Sequence, residues 1–133
     1  MIAAVADTHT ALWYLFDDDR LSVRAGDFID NAAAEGRQIV VSSISMAEIV
    51  YLIEKGRLAA NAYGDLKAAL DDPDHVFKEA QFTVEIVDAM RQISRAEVPD
   101  MPDRIVAATG AYFAVPVISR DGKIRSSSVQ TVW

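Results

Sequence analysis

Acidic residues stand at four well-separated places where a carboxylate could do chemistry. Asp7 follows "IAAVA", Glu48 lies in "SMAEI", Asp103 in "MPDRIV" and Asp121 in "SRDG", with Asp100 three residues ahead of Asp103. The chain has no cysteine and two histidines, and hard oxygen donors of this kind select Mg2+ or Mn2+ over zinc. Carboxylates ~4 Å apart repel by about 4 kcal/mol at an effective dielectric of 20, so acids sharing one rim call for a cation. The reaction that best uses such a cluster is phosphodiester hydrolysis, where one metal activates water and another stabilises the leaving oxygen.

Each acid also has an ordinary structural reading. Asp7 or Thr8 can cap a helix through "ALWYLF", and "SMAE" fits a capping box between Ser45 and Glu48. In "DMPD", Asp100 can cap with Asp103 at the third helical position, and Pro102 is tolerated in the first turn. Asp121 in "RDG" is an ordinary turn residue.

The elements that must position these acids alternate. Apolar runs at 2–6, 38–42 and 115–119 read as buried strands, 75–80 as a short strand and 129–133 as a final edge strand. Helices are expected up to about Asp17, over 21–36 with Ser22 as N-cap, and over 46–56 with Gly56 as its stop. Others are expected at 60–72, 83–94 and from Asp100 to about Phe113, with a short helix in "DGKIRS". Strands alternating with helices imply one α/β domain over 1–133, a three-layer α/β/α sandwich around a mostly parallel sheet. In such sheets the ligand crevice lies outside the carboxyl ends of the strands, which sends Asp7 and Asp121 to one rim.

The bulk properties agree with a soluble, intracellular, cytoplasmic protein of 133 residues. Its N-terminus lacks the basic start of a signal peptide, and no stretch approaches the ~20 apolar residues of a spanning helix. The net charge of −7 argues against a non-specific nucleic-acid coat. Arg104, Arg120, Lys123 and Arg125 lie near the acidic positions in sequence and could orient phosphates, although solvated surface charge explains each one singly. His9 could contact RNA or metal, but packing beside the first strand suits it better. Trp13, Tyr14 and Trp133 could stack on bases, and their spacing favours packing instead.

The ordered set "VADTHTALWYL", "VVSSISMAEIVYLIEKGRL", "PDRIVAATGAYFAVPVISRDGKI" and "VQTVW" resembles the PIN-domain family, and more narrowly the VapC-type toxins of type II toxin–antitoxin pairs. The resemblance spans nearly the whole chain. It implies a metal-dependent endoribonuclease in which Asp7, Glu48, Asp103 and Asp121 hold one or two Mg2+ or Mn2+ ions. Asp100 matches an additional acid of one subgroup, and Ser119 falls where a small hydroxyl residue stands beside the metal. The resemblance further implies a homodimer and a cognate VapB-like antitoxin, which alone contacts operator DNA. The antitoxin's C-terminal segment would lie in an apolar groove, for which helices around 11–16 and 46–70 are candidates.

Two departures stand out. The subgroup's proline directly follows its first Asp, whereas here Met101 intervenes and Pro102 comes later. Gly110 replaces a usual alanine and is expected to loosen its helix. A rival of another class is a catalytically silent PIN-like module that binds protein or RNA. An aspartyl-phosphate phosphatase would want an Asp where His9 stands, and a receiver-type domain finds no convincing set of acids and lysine.

Overall fold

The computed structural model describes residues 1–133. Five strands, β1 (Ile2–Ala6), β2 (Gln38–Ser42), β3 (Phe77–Ala80), β4 (Val117–Ile118) and β5 (Thr131–Val132), form one sheet in the order β3-β2-β1-β4-β5. Every neighbouring pair is parallel, so the sheet is wholly rather than mostly parallel. The chain steps outward from β1 through β2 to β3, then returns to lay β4 on the other side of β1. That reversal between β1 and β4 opens a crevice at their carboxyl ends.

Seven helices cover the sheet: α1 (Thr8–Leu15), α2 (Val23–Ala34), α3 (Ser43–Glu54), α4 (Asn61–Asp71), α5 (Val84–Met90), α6 (Met101–Phe113) and α7 (Gly122–Arg125). Successive strand side chains point to opposite faces, so β1 serves two cores. Ala4 and Ala6 pack with Leu12, Ile29, Ile49 and Leu66 from α1 to α4. Val5 packs with Ile86, Val106 and Ile124 from α5 to α7. The expected three-layer sandwich is therefore present, and no helix is long and apolar enough to cross a membrane.

Local chemistry explains most boundaries. Ser22 accepts from Ala25 N (3.1 Å) to start α2, and Gly36 (φ 70°) follows its end. Gly56 (φ 72°) follows α3 in the same way, in a left-handed conformation that glycine adopts freely. The expected capping box is not formed. Chain leaving β2 turns directly into α3, with Ser42 as N-cap accepting from Ile44 N (3.2 Å), which leaves Ser45 buried inside the helix. Helix α5 also stops at Met90, short of 94, because its last turns tighten: Ile93 N donates to Met90 O (3.0 Å). The strand expected over 115–119 pairs at only two residues, as does the one expected over 129–133.

Gly110 has a different meaning from the expected loosening. A Cβ there would lie 2.7 Å from Val117 Cγ2 and 3.2 Å from Val115 O, so glycine lets α6 settle against β4. Alanine would gain ~1 kcal/mol in helix propensity. Overpacking costs about 1–3 kcal/mol, and Val117 is fully buried with little room to move. Gly110→Ala is thus expected to lower the urea midpoint; a raised midpoint would show that the neighbours yield.

Candidate functional site

Asp7 is the first residue beyond β1. Its N–H donates to Ile118 O (3.2 Å), and its Oδ1 accepts from Thr10 N (2.8 Å) to cap α1. Thr10 Oγ1 donates to the same Ile118 carbonyl (2.9 Å), which ties the start of α1 to the end of β4. Beyond β4, buried Ser119 accepts from Asp121 N (3.0 Å) through its hydroxyl. Asp121 Oδ1 in turn accepts from Lys123 N (2.9 Å) and Ile124 N (3.0 Å).

Glu48 reaches the rim from α3. Thr8 Oγ1 lies 2.6 Å from Glu48 Oε1 and 2.8 Å from Ser45 Oγ. With one proton to give, Thr8 donates to the carboxylate and accepts from Ser45. Asp100 Oδ1 accepts from Asp103 N (3.0 Å), so Asp100 caps α6 and Asp103 stands in its first turn.

One oxygen each of Asp7, Glu48 and Asp121 is thereby engaged while the other is open. Asp7 Oδ2, Glu48 Oε2 and Asp121 Oδ2 take part in no protein hydrogen bond, and neither does either oxygen of Asp103. Capping and ligand binding do not compete for the same atom.

A cleft of about 350 Å³ is bounded by Asp7, Asp103 and Asp121 together with His9, Trp13, Arg20 and Arg120. Burial pushes the Asp103 carboxyl up to about 7, reinforced by the charges of Asp100, Asp121, Glu48 and Asp7. That coupling acts over a longer range than metal ligation. As the side chains stand, no three acids or histidines close on a common point as a ready-made cation cage. The donor set is still the kind a hard cation takes, all oxygen and with open lone pairs on acids from four elements.

Other expected residues fall out differently. Arg120 lines the cleft, whereas Lys123 and Arg125 are exposed on α7 and do not. Arg104 is directed elsewhere: its Nε donates to Ile93 O (2.9 Å) and its Nη2 to Met90 O (3.2 Å). Those bonds clasp the end of α5 to α6, so its position beside Asp103 in sequence does not carry its guanidinium into the cleft. His9 is exposed on the rim, its ring centroid 5.6 Å from that of Trp13, rather than packed beside β1. Trp13 packs as expected, 6.0 Å from Trp133 between centroids. Sequence reasoning missed Thr8 as the partner of Glu48, and it missed Arg20, which lies between the first two expected helices.

Residues 4–128 match the family model of the PIN domain. The chain belongs to the PIN-domain family. Its fold is similar to that of a chain from the crystal structure of VapBC2 from Rickettsia felis bound to a DNA fragment from their promoter, with a TM-score of 0.70, 14% identity and coverage of 98% of this chain and 97% of that one. A chain of a toxin–antitoxin complex from Klebsiella pneumoniae gives a TM-score of 0.62 at 21% identity, with coverage of 98% and 97%. At these identities the likeness is one of fold. No curated protein matches this chain.

In this PIN domain the Asp103 shift has a thermodynamic consequence. The native state holds a proton that the unfolded chain, with an ordinary carboxyl at 3.8, has already released between about pH 4 and 7. The stability from this group therefore falls as pH rises through that window. In chelator at pH 8, Asp103→Asn is expected to stabilise the fold by on the order of 1 kcal/mol after solvent screening, a Tm rise of roughly 3–5 °C. At pH 4 the gain should vanish. Thermal unfolding followed by circular dichroism at both pH values checks this, and equal Tm shifts at the two would contradict it.

Proposed function

We propose that this chain is a VapC-type ribonuclease toxin, an endoribonuclease that hydrolyses RNA phosphodiester bonds with one or two Mg2+ or Mn2+ ions and is neutralised by a cognate antitoxin. The observation that carries the reading is the gathering of Asp7, Asp103 and Asp121 from three separate elements in one cleft, where burial, reinforced by the charges of Asp100, Asp121, Glu48 and Asp7, raises the Asp103 carboxyl. Asp7, Glu48, Asp103 and Asp121 would hold the ions. Ions so held supply Lewis acidity toward a phosphate and lower the pKa of water.

The rest follows from the chain's own groups. Burial first and the neighbouring carboxylates second raise the Asp103 carboxyl to about 7 in the bare cleft, and a cation held beside it would favour loss of its proton. Thr8 orients Glu48, Ser119 sets the turn that presents Asp121, and Asp100 anchors the helix that carries Asp103. No side-chain nucleophile is required, so no covalent intermediate with the protein forms.

The partner reading rests on a second depression. An apolar hollow of about 360 Å³ between α1 and α4 is walled by Leu12, Phe16, Leu58 and Ala62 and shares His9, Trp13 and Arg20 with the acidic cleft. A VapB-like antitoxin segment laid in it would run toward the acids. The similar folds described as VapBC2 and as a toxin–antitoxin complex support such a partner. Homodimerisation, and contact with operator DNA through the antitoxin alone, belong to the same proposal.

With purified protein, Mn2+ and an RNA substrate, Asp7→Asn and Asp103→Asn are each expected to slow cleavage on the order of 10²-fold or more. Cleavage at the wild-type rate by either variant would sink the reading. Isothermal titration of the wild type with Mn2+ separates the rival: neither heat nor cleavage would favour a silent binding module.

A further inference from the structure

We infer that Trp13, Arg20 and Arg120 form a phosphate-binding wall of the acidic cleft, which takes a backbone phosphate of the RNA strand beside the one to be cut. The inference rests on the ribonuclease reading above and specifies how a cleft dominated by carboxylates retains a polyanion.

Charge sets the problem. The cleft is bounded by three aspartates, in a chain of net charge −7, and a phosphodiester strand is repelled by both. Arg20 and Arg120 are the two cations lining it. Both lie over the same indole, Arg120 with its guanidinium carbon 4.6 Å and Arg20 5.2 Å from the Trp13 ring centroid. Such contacts are worth about 0.5–2 kcal/mol and hold a flexible side chain in place without consuming its donors.

The backbone aims Arg20. At the end of α1, Asp18 N donates to Trp13 O (2.8 Å) and Asp17 N to Tyr14 O (3.3 Å), with Asp17 in the left-handed region at φ 53°. This is the double hydrogen-bond pattern that closes a helix and folds the following chain back on it. Asp18 then grips Arg20 three ways: backbone N to Oδ1 (2.9 Å), Nε to Oδ1 (3.0 Å) and Nη2 to Oδ2 (2.7 Å). Two of the five guanidinium N–H donors are engaged and three remain for a ligand. Arg120 makes no ion pair and no side-chain hydrogen bond, so all of its donors are open.

Trp13 serves as the platform and not as a base-stacking surface. It is only 7% exposed, with His9, Trp133 and both arginines around its ring. Both guanidiniums line the same cleft, so a phosphate entering it meets two cations among the aspartates. Phosphate suits this arrangement, since arginine can offer it two parallel N–H donors.

The test compares wild type, Arg20→Gln, Arg120→Gln, the double variant and Arg95→Gln, an exposed charge deletion away from the cleft. Binding of a fluorescent RNA oligonucleotide is measured by anisotropy across a salt series with Ca2+, and cleavage separately with Mn2+. The double variant is expected to bind about tenfold more weakly, with the slope of log K against log salt reduced by about 0.7. Its KM should rise while kcat stays within about twofold, and Arg95→Gln should behave as wild type. If wild type cleaves and the double variant matches it in affinity and slope, the wall is overturned and the ribonuclease reading stands. If wild type binds without cleaving and the double variant binds more weakly, the hydrolytic reading fails and the wall remains. Wild type that neither binds nor cleaves overturns both.

Discussion

Burial of one carboxyl among like charges is the constraint on which the carboxyl edge of this sheet depends. Burial acts most strongly on Asp103, and repulsion by the charges of Asp100, Asp121, Glu48 and Asp7 adds to it. The fold offsets that repulsion by placing acids where backbone N–H groups point outward. Asp7 caps α1, Asp100 caps α6 with Asp103 in its first turn, and Asp121 caps α7. Helix N-termini carry partial positive charge, so each helix stabilises the carboxylates that crowd its start. The same bonds fix the side chains in position, and an all-oxygen site needs acids held before any ligand arrives.

Sheet order turns this local chemistry into a site. Because β1 lies between β2 and β4, Asp7 stands beside the ends of two neighbours, and its N–H bonds directly to Ile118 at the end of β4. Close approach at Gly110 seats α6, the helix that carries Asp103, against β4. Arg104 then clasps the end of α5, which steadies the chain leading into Asp100. Each contact is modest, and the cleft depends on all of them.

Cationic groups at the cleft are held by other means. Arg20 is fixed by a carboxylate outside the cleft, while Arg120 rests on an indole alone. Neither consumes a cleft acid, so both signs of charge persist side by side. Direct arginine–aspartate pairing within the cleft would cancel the charge of the acids that line it. The apolar hollow beside it, sharing its rim, extends the surface open to a partner without altering the acids.

Much of this was legible in the chain. Alternating apolar runs and helical stripes determined the α/β/α layering, and Ser22, Gly36, Gly56 and Asp100 marked helix ends, because those signals act within a few residues. Acids at strand ends followed from the same reading. The capping box at Ser45 failed because β2 enters α3 without a loop, a fact of packing and not of local pattern. Likewise, Thr8 meets Glu48 across 40 residues, Arg20 and Arg120 each reach Trp13, and Arg104 turns toward α5 rather than the rim. Strand order and the separation of helix from sheet decide those meetings. The sequence by itself determined which residues carry charge and where most elements begin; only the tertiary structure decided which oxygens stay open, because that depends on which distant donors arrive to bind the others.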